Sequence, residues 1–376
     1  MKKRVISILL SAAMISSMVV AGGVTAHAEE NVTLNVFDAH AYGLEEYDEM
    51  VKAFEESHPG VTVDVQHAAN DYDTLLQSRV NSGDTPDVFD AEAGTKAKMY
   101  YDYAYDWSND TEVLDKFNED AVNLGKDDEG NVKSLPWTYE NMGLIYNKDI
   151  LNKYIATDGA KIKSVDDIDN FDTLKAVADD MQAKKDQLGI KGAFTSAGFD
   201  SSSDWRFKTH LANLPLYYEF TKDNVTEQPE TIKGTYLPEY KNIFDLYITD
   251  STTDRTQLSS KTGDDANSEF ALGQAAFYQN GTWAWTDLQK AGMKADSISM
   301  MPIYTGAKGE EKQGLATGSE NYWCINDKAS DADKKATKDF LKWVITSNAG
   351  KKSLSQDMGF TTPFKTFSTM RLTEKS

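Results

Sequence analysis

The stretch that most limits how this chain can fold is Leu135-Pro136-Trp137-Thr138-Tyr139-Glu140-Asn141-Met142-Gly143-Leu144-Ile145-Tyr146-Asn147-Lys148-Asp149-Ile150-Leu151. Pro136 fixes its own φ, lacks a backbone donor and biases Leu135 towards extended backbone, so no regular helix runs through it. Gly143 to Tyr146 is an apolar run of strand type, and a helix start follows. The chain therefore arrives extended, displays Trp137, Tyr139 and Glu140, and enters a new strand. A crossover between two lobes with ligand groups hung on it has this form. An ordinary loop over a buried Trp has it too.

The front of the chain points to a compartment. Lys2, Lys3 and Arg4 form a basic start, Val5 to Val20 is mostly apolar, and Ala26-His27-Ala28 is a small-x-small cleavage site. Residues 1–28 read as a secretory signal peptide. Serines and Gly22-Gly23 interrupt the run before it reaches the roughly 20 apolar residues of a membrane span. No cysteine stands near the cleavage site to carry a lipid, and no later segment is apolar enough to span. The expected location is outside the cytoplasm, in the periplasm or at the cell exterior.

What remains, residues 29–376, is too long for one compact core and suits two lobes. The formal net charge is −21, and the leader removes only basic residues, so the mature chain is more acidic still. A chain this acidic is not expected to bind nucleic acid or an anionic membrane through its net field. Cys324 is the one cysteine, so no intrachain disulfide forms. In the strand-like run Tyr322-Trp323-Cys324-Ile325 it reads as packing.

In order, Val32 to Phe37 is a strand, about Glu45 to Ser57 an amphipathic helix, and Val61 to Val65 a second strand. This βαβ unit implies a parallel sheet with helices on its faces. A helix over 72–81 and a short strand over 87–90 follow. Ligands of open parallel sheets sit beyond the carboxyl ends of the strands. Asp38, His40 and Tyr42, then Asp90 and Glu92, are therefore site candidates, though each is also what a solvated loop carries. Farther on, a Ser-rich loop, Ala197 to Asp204, precedes Trp205, which is either a stacking platform or a helix's first core residue. Gly281 turns the chain after the strand Ala275 to Tyr278, and Trp283-Ala284-Trp285 follows. That pattern puts at least one indole at a sheet edge.

Taken together these segments resemble the extracellular solute-binding proteins of bacterial ABC transporters, in the class that includes maltose-binding protein and other sugar binders. The resemblance rests on Leu135-Pro136-Trp137 with Gly143 to Asp149, on Leu272 to Phe277 with Asn280-Gly281-Thr282-Trp283-Ala284-Trp285, on Pro302, and on Gly318-Ser319 with the strand after it. Ala336 to Ala349 and Gly359 to Pro363 complete a series running from about residue 31 to 364. It implies an α/β, two-lobed, periplasmic-binding-protein-like fold of type II, with mixed sheets flanked by helices and a ligand cleft between the lobes. The implied N-terminal lobe is 29–137 with 305–346, and the C-terminal lobe 138–304 with 347–376. Carried over by motif, Trp137 to Glu140 matches the hinge-adjacent contact segment and Trp283 the sugar-stacking Trp. Glu320 and Tyr322 fall in the loop and strand facing the cleft. Two departures stand out: Gram-positive members usually carry a lipid-modified cysteine after the signal, and members usually continue with further helices beyond Pro363. The second lobe is accordingly expected to be incompletely covered.

The implied function is capture of an oligosaccharide and its delivery to the permease subunits of a transporter, by a monomer without cofactor, metal or catalysis. The physics suits a sugar. An indole covers the C–H face of a pyranose, and carboxylates such as Glu140, Glu320, Glu92 and Asp90 accept charge-assisted hydrogen bonds from hydroxyls. Two rivals remain. Trp with Glu and Asp also makes a cage for a polyamine. A secreted glycosidase would need two carboxylates about 5–10 Å apart, and an acidic chain offers many pairs without singling one out. Tyr217-Tyr218 has the form of paired metal-binding tyrosines, but adjacent tyrosines are usually packing. His40, His58, His67 and His210 are scattered, without metal-ligand spacing.

Overall fold

The structure is a computed structural model that describes residues 31–39, 43–68, 71–92, 95–226, 229–319 and 321–367. The expected signal peptide lies outside these residues, as do His40, Tyr42 and Glu320.

Among the described residues ten strands form two sheets: β1 (Val32–Asp38), β2 (Val61–His67), β3 (Val88–Glu92), β4 (Leu135–Pro136), β5 (Glu140–Asn147), β6 (Gly192–Phe194), β7 (Ala275–Gly281), β8 (Ile298–Met301), β9 (Ala316–Gly318) and β10 (Asn321–Ile325). The first sheet has the order β2-β1-β3-β10-β4 and the second β6-β7-β5-β8, with β9 also on β5. β1, β2 and β3 are parallel, whereas β10 runs antiparallel to both its neighbours. In the second sheet β6 and β7 are parallel, and β5 is antiparallel to β7 and β8. Both sheets are mixed, and helices flank them.

Local sequence accounts for the elements. In helix Leu44–Ser57 the buried Tyr47, Met50, Val51 and Phe54 recur at helical spacing and face the first sheet's core. Asn147 ends β5 and caps the next helix, its side chain accepting from the backbone N–H of Asp149 and Ile150. That explains the abrupt strand-to-helix switch in the opening stretch.

The described chain leaves the first sheet after β4 and enters the second at β5, through 137–139, and it leaves the second sheet at the end of β9, Gly318, and is back in the first at the start of β10, Asn321. The packing differs from the expected boundaries in two places. Residues 305–318 belong with the second sheet, because β9 pairs with β5 and Glu310 fastens the loop before it. The Glu310 carboxylate, buried, accepts from the backbone N–H of Phe171, Thr305 and Gly306, each at 2.7 Å. The tail, expected with the second lobe, instead sends Leu354, Met358, Phe360, Phe364 and Phe367 into the first core. It also clasps the crossover. The Thr361 carbonyl accepts from Tyr139 N at 2.6 Å, and the Thr361 hydroxyl from Asn141 Nδ2 at 3.4 Å.

Candidate ligand-binding site

Strand β7 is buried along its whole length and ends at Gly281, after which a tight turn presents Trp283. The indole folds back over Gly281: a Cβ there would lie 1.9 Å from Trp283 Cζ3, so only glycine permits this pose. Trp283 has the His210 ring 5.3 Å from its own and the Trp205 ring at 5.8 Å. Its Nε1 is buried from solvent with no hydrogen-bond partner among the described residues. An indole N–H left this way is a donor aimed at something the protein does not supply.

Trp283 is the wall between two cavities. The larger, about 600 Å³, is lined by Glu140, His210, Tyr217, Tyr218 and Gln313 among others. His210, Asn213, Leu214, Tyr217 and Tyr218 fall at i, i+3, i+4, i+7 and i+8, so one helical face forms its side. That helix is irregular for a reason. Pro215 lies inside Ala212–Asp223 and removes one backbone donor, and a π turn over Arg206–Leu211 precedes it. Burial and the nearby Arg206 charge lower the His210 pKa to about 4, so the ring is neutral at physiological pH. Across the cavity, Gln313 accepts from the Tyr218 hydroxyl at 2.5 Å and donates to the Ile303 carbonyl at 2.9 Å.

The smaller cavity, about 300 Å³, is lined by Ser203, Trp205, Arg206, Asn267 and Asn280 among others. Arg206 is only 7% exposed. Its guanidinium stacks on Trp205 at 4.3 Å and its Nη1 donates to the Ser203 carbonyl. Arg206 Nε and Asn267 Oδ1 are buried without hydrogen-bond partners. The loop that carries Ser203 and Trp205 is anchored by Glu269, which accepts from Ser196 N at 2.8 Å and from the Thr252 hydroxyl at 2.6 Å. Aromatic faces, planar donors and planar acceptors thus converge on either side of one indole. That set of groups suits a ligand with apolar faces and a rim of hydroxyls.

The expected residues divide sharply. Glu140, Trp205 and Trp283 line the cavities. Trp137 does not: it is fully buried in the first core, stacked on Trp323 at 4.9 Å and 9°, with Nε1 donating to Asp90 Oδ1 at 3.2 Å. Asp90 and Asp38 are each 2% exposed. Asp90 Oδ2 accepts from Ala39 N, and Asp38 pairs with His67 at 2.7 Å. Asp38 thus ties the end of β1 to that of β2, and Asp90, within β3, ties that strand to the chain leaving β1, so both carboxylates are engaged internally. Tyr322 is buried in β10, and burial pushes its phenol up to about 12. Trp285 packs against the tail instead, its Cδ1 2.7 Å from where a Cβ on Gly359 would stand. Tyr139 is half-buried and held by its backbone to Thr361. Glu92 closes β3 opposite Asn321, but its side chain lies outside the described residues, like His40, Tyr42 and Glu320.

His210, Arg206, Asn267 and Gln313 were not singled out as ligand groups from the sequence. Arg206 follows Trp205 directly, and His210 stands one turn later, so the helix opening after the Ser-rich loop was the signal available. Among the described residues no group of His, Cys, Asp and Glu is arranged to hold a metal ion, and no helix is long and apolar enough to cross a membrane.

Comparison with known proteins gives a consistent family. Residues 49–375 match the bacterial extracellular solute-binding protein family. A stretch of 190 residues is 27% identical to the melibiose/raffinose/stachyose-binding protein MelE of Bacillus subtilis, covering 50% of this chain and 41% of that protein. Over that alignment the chain thus spans less than half the length of its curated relative. Among solved structures, RafE in complex with raffinose superposes with a TM-score of 0.70 at 20% identity, over 89% of this chain and 83% of that one. Maltose-bound MalE3 of T. maritima gives 0.69 at 18% identity, over 89% and 82%. These neighbours share the two-lobed fold of mixed sheets and flanking helices. The match over 49–375 runs through both sheets, both crossovers and the tail, and by it the chain belongs to the bacterial extracellular solute-binding proteins.

Proposed function

We propose that this protein captures a neutral oligosaccharide outside the cytoplasm and hands it to the permease subunits of an ABC transporter, without altering it. The observation that carries the reading is Trp283, an indole with an unpartnered N–H between two cavities lined by Glu140, His210, Trp205 and Arg206. A sugar ring laid on the indole exchanges its apolar face for water, and its hydroxyls find both donors and acceptors. The family's extracellular character and the basic, apolar and small-residue pattern of residues 1–28 support export. The sugars named for MelE and RafE make α-galactosides such as raffinose and stachyose the first ligands to try.

Both cavities lie on the second lobe and its crossovers; among the described residues no first-lobe side chain lines them. Bending at the crossover 137–139 would bring the first lobe over the ligand, exclude water and strengthen the polar contacts. The test is a tryptophan-fluorescence titration against melibiose, raffinose, stachyose, maltodextrins and xylo-oligosaccharides, with spermidine as a control and the glycan recovered afterwards. Saturable binding of one glycan class, recovered intact, is expected. Binding of spermidine alone, or cleavage of the glycan, would overturn the reading.

A further inference from the structure

Tyr217 is the feature the proposed site leaves unused. It is 61% exposed, unusual for a large ring, yet it lines the larger cavity. It stands on the same helical face as His210, two turns farther along. Seven residues of helix advance roughly 10 Å, so Tyr217 lies well outside the contact between His210 and Trp283. Its ring is 5.6 Å from that of Tyr218, and Tyr218 is in turn 5.6 Å from Tyr236. Tyr218 is held in place by its hydrogen bond to Gln313 and by the tilt of Tyr236 against it. Tyr217 thus has a fixed ring beside it and an open face.

Metal binding by this tyrosine pair is disfavoured. Burial, helped by the Glu310 charge, pushes the Tyr218 phenol up to about 12, which works against the phenolate a hard cation needs. Water-exposed aromatic area at the rim of a cavity is instead suited to covering an apolar face.

We infer that Tyr217 is an outer stacking platform, a specificity-determining residue that makes the site select oligosaccharides of three or more rings over disaccharides. The inference rests on the proposed function, since it assumes that the first ring sits on Trp283. Since Tyr217 stands two helical turns, roughly 10 Å, beyond the residue that touches Trp283, the proposal has a disaccharide satisfy only the inner platform. A tri- or tetrasaccharide can reach both.

Calorimetric titration of the native protein and of Tyr217→Ala and Tyr217→Phe tests this, with each glycan class supplied as two-, three- and four-ring members. The native protein should gain affinity with ring number. Tyr217→Ala should lose about tenfold for the longest member, the scale set by uncovering one ring face, and much less for the disaccharide. Tyr217→Phe keeps the ring and should restore the length preference. Equal losses at all lengths, or none at any length, would overturn the platform while leaving the sugar reading in place. A native protein that binds no glycan would overturn the proposed function and this inference with it.

Discussion

The ring of Trp283 rests on the bare Cα of Gly281, closely enough that a methyl group there would sit 1.9 Å from Cζ3. Glycine at 281 therefore fixes where the indole points, and the Asn-Gly-Thr-Trp sequence is a device for aiming a side chain. Gly281→Ala should displace Trp283, lower oligosaccharide affinity at least about tenfold, and cost about 1–3 kcal/mol of stability from overpacking. Calorimetric titration alongside a urea melt separates the two effects.

Trp137 behaves oppositely. It is stacked on Trp323 and gives its N–H to Asp90 deep in the first core. Trp137→Phe removes one hydrogen bond to the buried Asp90 carboxylate and part of a stacked core pair, and should cost about 1–3 kcal/mol. Ligand affinity should change by less than about threefold. A large loss of affinity in a folded Trp137→Phe protein would place this indole in the site after all.

These two tryptophans show what the sequence could and could not specify. The strand before Gly281, the Pro before Trp137 and the helix after Asn147 are local patterns, and each element stands where its pattern puts it. Whether an aromatic beside such an element faces a cavity or a core depends on distant residues. Trp137 is buried because β10 brings Trp323 alongside it, a contact between residues far apart in the chain. The sequence puts Asp38 and Asp90 at strand ends, where ligand groups stand, but β3 runs on to Glu92 and the two carboxylates accept from His67 and Ala39 instead. Arg206 and His210 gain their meaning from the π turn ahead of Pro215, which no periodicity announces. The tail's apolar residues show that it packs somewhere, not against which lobe.

That tail should matter for the first lobe. Leu354 is fully buried and Phe364 is 1% exposed, edge-on to Phe117 at 5.1 Å. Phe364→Ala should cost about 3–5 kcal/mol. Fluorescence-monitored denaturation should show the transition dominated by the first lobe moving to lower urea. An unchanged transition would mean the tail is not part of that core.

Two groups shape the response to acid, with opposite signs. His210 has a folded pKa of about 4 against an ordinary 6.5, lowered chiefly by burial. The unfolded chain takes up this proton first, so stability is full above about pH 6.5 and falls as pH drops towards 4. Asp250 is raised to about 6 from 3.8, chiefly by burial, with the Asp179 charge adding to it. Its charged form costs stability above pH 6, and the cost fades as pH falls towards 3.8. Asp250→Asn should therefore stabilise the protein by about 1 kcal/mol at pH 7.5 and have no effect near pH 4. His210→Asn should flatten the loss between pH 6.5 and 4. Thermal melts at pH 7.5, 5.5 and 4 read both.

The central claim is that Trp283 is the surface on which a sugar ring sits. Its most direct test is calorimetric titration of native and Trp283→Ala proteins with the tightest-binding glycan of the panel. The account predicts a saturable native isotherm and a loss of about a hundredfold or more in a variant that keeps its native melting curve, since the central anchor of a site dominates its affinity. A folded Trp283→Ala protein that binds the same glycan as tightly as the native one would contradict it.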